Sequence, residues 1–387
     1  MRLVHADIFD EQFEKRCDQT VILDGERIAS IAPFSENAEE KTTDLSGLTL
    51  YPGFIDMHIH GAKNADTSDA DVVGLRTISR FLCEKGVTSF CPTTMMIPEE
   101  QLSRVLSAAD AFSKEEPQGA RMIGVRLEGP FLSKEKCGVQ NSEYSQSPSK
   151  DYIDLVRKDL RKDVISVIDL APELSGSLEF IKGAEEDYVL SVAHTAATFD
   201  CCSKAIEEGA RHATHLFNAM NPLHHHEPGA VGAFLDAKDT TCEMICDGMH
   251  VHPAVLRFAI QILGENRLVV VSDAMRAAGM PDGDYDLGGK TVHVKGGRTD
   301  FGDGRLAGST TNLHDEFLKL LSFGIPFKTA LKACTINPAK VLRIDEETGS
   351  LSEGKYADMV AMDQDYRVRM VWVRGKLVFD DREGAFS

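Results

Sequence analysis

The chain has 387 residues, of which 42% are hydrophobic and 27% charged, the balance of a folded globular protein with more length than one small domain needs. A net charge of −19 argues against a nucleic-acid-binding surface, which needs clustered Lys and Arg, and means that an anionic substrate would need a local cationic pocket. No stretch has the length and apolarity of a membrane span, no secretory leader is expected at MRLVHADIFD, and nine cysteines without a CxxC pair fit free thiols in a reducing cytoplasm.

In chain order, RLVHADIFD and QTVILDGERIASIAP alternate apolar and polar residues, the second around an Asp24–Gly25 turn, and read as strands. The last forty residues, with ADMVAMDQDYRVRMVWVRGKLVFD, read the same way. The two ends, residues 1–52 and 346–387, are therefore expected to pair into one small β-sandwich domain, with residues 53–345 inserted between them.

The middle alternates. Strand candidates are YPGFIDMH, VTSFCPT, RMIGVRLE, VISVIDLAP, YVLSVAH, HATHLFN, TCEMICD and LVVVSDA, and stretches of helical period such as DVVGLRTISRFLCEKG and PEEQLSRVLSAADAFSK lie between most of them. Eight strands alternating with helices predict an α/β fold, a (β/α)8 TIM-like barrel. An open doubly wound sheet is the alternative, but no GxGxxG follows the first strand, and GDYDLGGKT has one residue too many for a phosphate loop. Residues 276–308, rich in Gly and Asp, read as a hairpin and loop that could cover a site.

In a barrel of parallel strands the active site lies at the C-terminal strand ends. There this chain places His58 and His60 (strand one), Glu128 (three), His194 (five), His215 (six), His250 (after seven) and Asp273 (eight). Two residues apart on a strand, His58 and His60 share a face, which suits two imidazoles to one metal. Glu128 follows an apolar run and would be a buried unpaired charge without a cation. With His194 and His215 the set suffices for one divalent ion, or for two sharing a carboxylate; these N and O donors accept Zn, Fe, Mn or Co. Asp273 is placed to take a proton from water and pass it to a leaving group, and His250 to hold a substrate oxygen. The chemistry implied is hydrolysis of an amide or a related bond. His5, His252, His293 and His314 follow no such pattern and read as structural or surface residues.

The stretches PGFIDMHIHG, LEGPFLS, VAHT, THLFNAM, EPGAVGA, DGMHVHP and VSDAM resemble the amidohydrolase superfamily, and more narrowly the N-acetylglucosamine-6-phosphate deacetylases. The resemblance runs from about residue 50 to Ser309, and TINPAKVL and GKYADMV extend it. It implies a barrel with a small terminal β-domain, a homodimer, and removal of the acetyl group from an amino-sugar substrate. By resemblance Glu128, His194 and His215 would bind the main metal, with His58 and His60 adding a second across Glu128. Asp273 would be base and then acid, and His250 would contact the sugar or the acetamide. The Asn218–Ala219 backbone would hold the 6-phosphate, and Leu306 would line the acetyl pocket.

Two positions depart from the family pattern. Gln140 stands where many members carry a His that contacts the acetamide; an amide can donate to a carbonyl but cannot be charged. His226 stands where members that bind phosphate carry Arg before EPG. Histidine is only partly charged at pH 7, so either His226 with His224 and His225 binds the phosphate or the sugar is not phosphorylated. Gluco and galacto substrates stay open. A dihydroorotase-like hydrolase would bridge its metals with a carboxylated lysine, whereas Glu128 stands here; a non-catalytic barrel would have lost ligands that this chain keeps.

Overall fold

The computed structural model describes residues 1–35, 42–302 and 304–382. Its central feature is a set of eight strands: β1 (Phe54–Ile59), β2 (Val87–Pro92), β3 (Val125–Leu127), β4 (Ile165–Leu170), β5 (Val189–Val192), β6 (His212–Ala213), β7 (Thr241–Met244) and β8 (Leu268–Val270). β1 pairs with β2, and β3 to β8 pair in sequence order, every ladder parallel. The two arcs meet at both seams. Thr94 N donates to Arg126 O (3.0 Å), joining β2 to β3, and Asp273 N donates to His58 O (2.9 Å), joining the exit of β8 to β1.

Both faces of these strands are covered, which is why they read as near-continuous apolar runs. The helix after β1, Val72–Glu84, starts on Asp71, whose carboxylate accepts from Val73 N and Gly74 N, and it buries Leu75, Ile78 and Leu82, the spacing of one helical face. Glu99–Ser113 buries Leu102, Val105, Leu106 and Ala109 in the same way. A helix follows each of the remaining strands as well.

Two predicted strands are each two. YPGFIDMH divides at Gly53: Thr49–Pro52 joins the terminal sheet and Phe54–Ile59 is β1. A Cβ at Gly53 would overlap the Thr88 side chain, so the chain passes between the two sheets where only glycine fits. RMIGVRLE divides likewise: Arg121–Met122 extends the β1–β2 arc, and β3 begins the other.

The chain ends do pair. Thr49–Pro52 runs antiparallel to Met359–Met362, within one eight-stranded sheet whose strands lie in residues 2–33, 42–52 and 359–380. Alternate residues face opposite ways: Met359, Ala361, Met370 and Trp372 pack with Leu3, Val21 and Ile28, while Val360, Met362, Val371 and Val373 join the main core. The small core holds only residues of this sheet and its loops, and the ladder through the sheet is continuous. Among the described residues no helix is long and apolar enough to cross a membrane.

Candidate active site

The strand-end residues converge on one carboxylate. Glu128 Oε1 lies 3.1 Å from His194 Nε2, 3.0 Å from His215 Nε2 and 3.6 Å from His58 Nε2, and Oε2 lies 3.2 Å from His60 Nε2. Asp273 Oδ1 closes the other side, 3.4 Å from His58 Nε2 and 3.2 Å from His60 Nε2. All six side chains are buried. They fall into two triads that could each hold a cation, His58–His60–Asp273 and Glu128–His194–His215.

The outer ring nitrogens test whether a metal fits. His60 Nδ1 faces Thr93 O at 3.2 Å, and His194 Nδ1 faces Lys136 O at 2.8 Å. A carbonyl oxygen only accepts, so each Nδ1 carries the hydrogen and, in a neutral ring, Nε2 carries a lone pair. His58 Nδ1 faces the Glu243 carboxylate at 3.3 Å, which leads to the same tautomer. Three lone pairs then point at carboxylate oxygens across little more than 3 Å, and either protons or metal ions must separate them. The donor set fits divalent metal.

Without an ion the charges shift accordingly. Burial opposes a charged ring at His215, yet the hydrogen bond and charge of Glu128 outweigh it and move the ring up to about 9. Burial opposes the charge on His60 as well, and Asp273 and Glu128 raise it well above its ordinary value. Burial works to raise Glu128, but the surrounding imidazoles hold it well below the usual carboxylate range. Burial likewise works to raise Asp273, and His58 and His60 keep it lowered, so it is an ionised base at neutral pH.

Each of these strands turns sharply where its functional side chain leaves it. His194, His215 and Asp273 have φ of 43°, 27° and 46°, left-handed backbone that costs a non-glycine residue about 1–2 kcal/mol. Neighbouring bonds hold the turn at Asp273: its carbonyl accepts from Ser309 N (2.8 Å), and Ser272 Oγ before it donates to the buried Asp56 Oδ2 (2.6 Å).

A cavity of about 400 Å³ opens onto the cage. His60, Glu128, His194, His215 and Asp273 line it, as do Gln140, Asn218, Ala219, His250 and Leu306; His58 lies beneath. His250 is held through Nδ1 by Asp247 Oδ2 at 2.8 Å. Asn218 N is occupied by His215 O at 2.9 Å, and Ala219 O accepts from Thr195 N.

Gln140 lines the cavity, and its amide is also held from below: Oε1 accepts from Met96 N (2.6 Å) and Nε2 donates one of its two hydrogens to Glu128 Oε2 (2.7 Å). It braces the central carboxylate. His226, one of the two alternatives raised for the phosphate, is exposed within this chain and outside the cavity lining, its ring tilted 42° against His225 with centroids 4.0 Å apart.

Sequence reasoning missed the layer below the cage. Arg126, wholly buried, donates Nε and Nη2 to Asp169 (2.8 and 2.9 Å) and Nη1 to Glu243, and Glu243 also receives His212 Nε2 (2.8 Å). The available signal was a charge inside an apolar run, as in VRL and TCEM. It also missed the covering hairpin's contacts: Gly283–Leu287, Lys290–Lys295 and Arg298–Asp300 form a three-stranded sheet whose Leu287 lines the cavity and whose Lys290 Nζ donates to Val139 O (2.9 Å).

Comparison with known proteins gives one consistent picture. The amidohydrolase family model matches residues 49–378. N-acetylglucosamine-6-phosphate deacetylase of Vibrio furnissii is 34% identical over 359 residues, covering 91% of this chain and 88% of its own. N-acetylgalactosamine-6-phosphate deacetylase of Escherichia coli O157:H7 is 33% identical over 352 residues, covering 90% and 92%. The crystal structure of N-acetylglucosamine-6-phosphate deacetylase from Pasteurella multocida superposes with a TM-score of 0.91 at 30% identity, over 97% of this chain and 98% of that one.

Proposed function

The chain belongs to the amidohydrolase family, and from that premise we propose that it hydrolyses the N-acetyl amide of N-acetylglucosamine-6-phosphate, releasing acetate and glucosamine-6-phosphate. The carrying observation is the cage itself: four imidazoles gathered round two carboxylates, all but His58 at the wall of one cavity, in a chain a third identical to deacetylases of that substrate over nine-tenths of its length. The strands are read as a (β/α)8 barrel spanning residues 53–345, with the folded terminal sheet (1–52 and 346–387) beside it.

Glu128, His194 and His215 would hold one divalent ion and His58 and His60 a second, with Glu128 between them. Such an ion supplies Lewis-acid chemistry, polarising a carbonyl and acidifying water at neutral pH. Asp273 Oδ1 takes a proton from the attacking water as oxygen adds to the acetyl carbon. It returns that proton to the amide nitrogen as the C–N bond breaks, so the sugar leaves as an amine. Asp247 holds Nδ1 of His250, leaving Nε2 as the ring's remaining polar atom for the substrate. Gln140 keeps Glu128 oriented, and Leu306 borders the acetyl group.

The galactosamine epimer is the second reading, supported by the 33% identity to a deacetylase of that sugar phosphate. Acetate release by the metal-loaded protein tests both. Turnover of N-acetylglucosamine-6-phosphate above its galacto epimer supports the first reading, the reverse order the second, and no release from either refutes both.

A further inference from the structure

The four imidazoles of the cage are not held alike from outside. His60 Nδ1 and His194 Nδ1 each meet a backbone carbonyl, Thr93 O and Lys136 O, and the buried Nδ1 of His215 has no hydrogen-bond partner among the described residues. Of the four, His58 alone meets a carboxylate there, Glu243 Oε2 at 3.3 Å. A carboxylate partner fixes the tautomer of the ring it faces and raises its basicity as a ligand. The His58–His60–Asp273 triad therefore depends on a group that the Glu128–His194–His215 triad lacks.

Glu243 is itself wholly buried, and it can orient His58 only while its own position is held. Arg126 does part of this, but its fork is shared: Nε and Nη2 go to Asp169 at 2.8 and 2.9 Å, and only Nη1 reaches Glu243. One guanidinium thus faces two carboxylates. The second donor to Glu243 Oε1 is His212 Nε2, at 2.8 Å. Thr241 Oγ1 holds the far side of that ring, 2.6 Å from Nδ1. His212 opens β6 and Thr241 opens β7, so both stand at the strand ends opposite the cage. There they border a separate cavity of about 270 Å³, which none of the six cage residues lines. The contacts Thr241–His212–Glu243–His58 run from one end of the strands to the other and finish on one metal triad.

We propose that His212 is a positioning residue for the ion at the His58–His60–Asp273 triad, acting through Glu243 on which nitrogen His58 presents and on how firmly the ring is oriented. It lines no part of the cavity above the cage. The inference rests on the reading of the cage as a two-ion site and is independent of which amide is cleaved.

The test titrates divalent cobalt into the metal-free chain, in competition with a chromophoric chelator. It compares the wild type, His212→Leu, His212→Gln, Glu243→Gln and the double variant His212→Leu/Glu243→Gln. The wild type is expected to bind two ions. His212→Leu should weaken one binding step by about 10-fold, the low end of what the outer partners of metal-bound histidines contribute, and leave the other step unchanged. His212→Gln, which keeps an N–H donor, should largely restore it. Since His212 acts through Glu243, the double variant should bind no more weakly than Glu243→Gln alone. Equal weakening of both steps, a loss that Gln does not restore, or additive losses in the double variant would each overturn the proposal. So would an unchanged affinity in His212→Leu, or a wild type that takes up a single ion. Melting temperatures of the metal-free variants show which are folded. Should His212→Leu not fold, His212→Asn, polar but shorter than the imidazole, takes its place with the same expectations. Acetate release from N-acetylglucosamine-6-phosphate is measured separately: its absence in a wild type that binds two ions refutes the deacetylase reading and leaves this one standing.

Discussion

Glu243 Oε2 lies 3.3 Å from Nδ1 of His58, on the side of the ring opposite the cage. This contact makes a residue of β7 responsible for which nitrogen His58 offers to a metal. Burial alone would raise the Glu243 carboxyl, but Arg126 and His212 hold it well below the usual range, so it is a fixed acceptor. In Glu243→Gln, expected affinity at the His58–His60 triad falls about 10- to 100-fold, as when other metal-bound histidines lose their outer partner. The Glu128–His194–His215 triad keeps its ion. Metal content per chain after dialysis, read beside the melting temperature, checks this; an unchanged stoichiometry and affinity would contradict it.

Asp273→Asn removes the carboxylate proposed to carry the proton and preserves the shape of the side chain. The expected outcome is a fall in kcat of about 10²- to 10⁴-fold, with metal retained by Glu128, His194 and His215. Single-turnover acetate release with parallel metal analysis separates this from simple loss of the ion.

Gln140→Leu leaves Met96 N without its partner and Glu128 Oε2 with His60 Nε2 alone in a buried setting. That should lower stability by about 1–3 kcal/mol, measurable as a shift in the urea midpoint of the chelated protein. A stability equal to the wild type would mean that the brace is dispensable.

Glu316 gives a pH signature away from the metal cage. It is wholly buried, Oε2 accepts from Cys246 N (2.8 Å), and Oε1 has no protein partner. Burial, with Asp247 and Asp56 adding to it, pushes its carboxyl well above 4.5. The folded state then binds a proton that the unfolded chain has released. Its contribution is present in full below about pH 4.5 and is lost as pH rises toward the folded-state value, at about 1.4 kcal/mol per pH unit. Glu316→Gln should flatten that slope as pH rises from about 4.5. Denaturant midpoints of the chelated wild type and variant across that range test it, and parallel curves would refute it.

Chelation should abolish activity and leave His60 and His215 as protonated rings around Glu128. Readdition of Zn, Mn, Co or Fe one at a time, followed by acetate release, would rank the ions, which the nitrogen and oxygen donors alone do not separate.

The strands and the cage were legible in the sequence because both are local. An apolar run of six residues flanked by helical periods reads as a covered parallel strand, and a histidine at its end reads as a strand-end residue. The i, i+2 spacing of His58 and His60 puts both on one face whatever the rest of the chain does. The chain's crossing at Gly53 was hidden, since nothing in YPGFIDMH tells which of two sheets each half joins; the close approach of Thr88, 35 residues on, decides that.

What the sequence by itself determined is therefore the order of the elements, the set of metal-seeking side chains and the end of the strands at which they gather. The tertiary structure alone decided who partners whom. Gln140 borders the cavity, and its loop also packs it between Met96 and Glu128. His226 stands just before EPG in sequence and lies outside the cavity lining of its own chain. Glu243 and Arg126, charges inside apolar runs, come together beneath His58 only in the folded strands. The physical reason is common to all of them. Periodicity and chain order are set by neighbours in sequence, whereas a buried polar group's partner is set by which loops share its space, and strand closure fixes that only when the whole chain is folded.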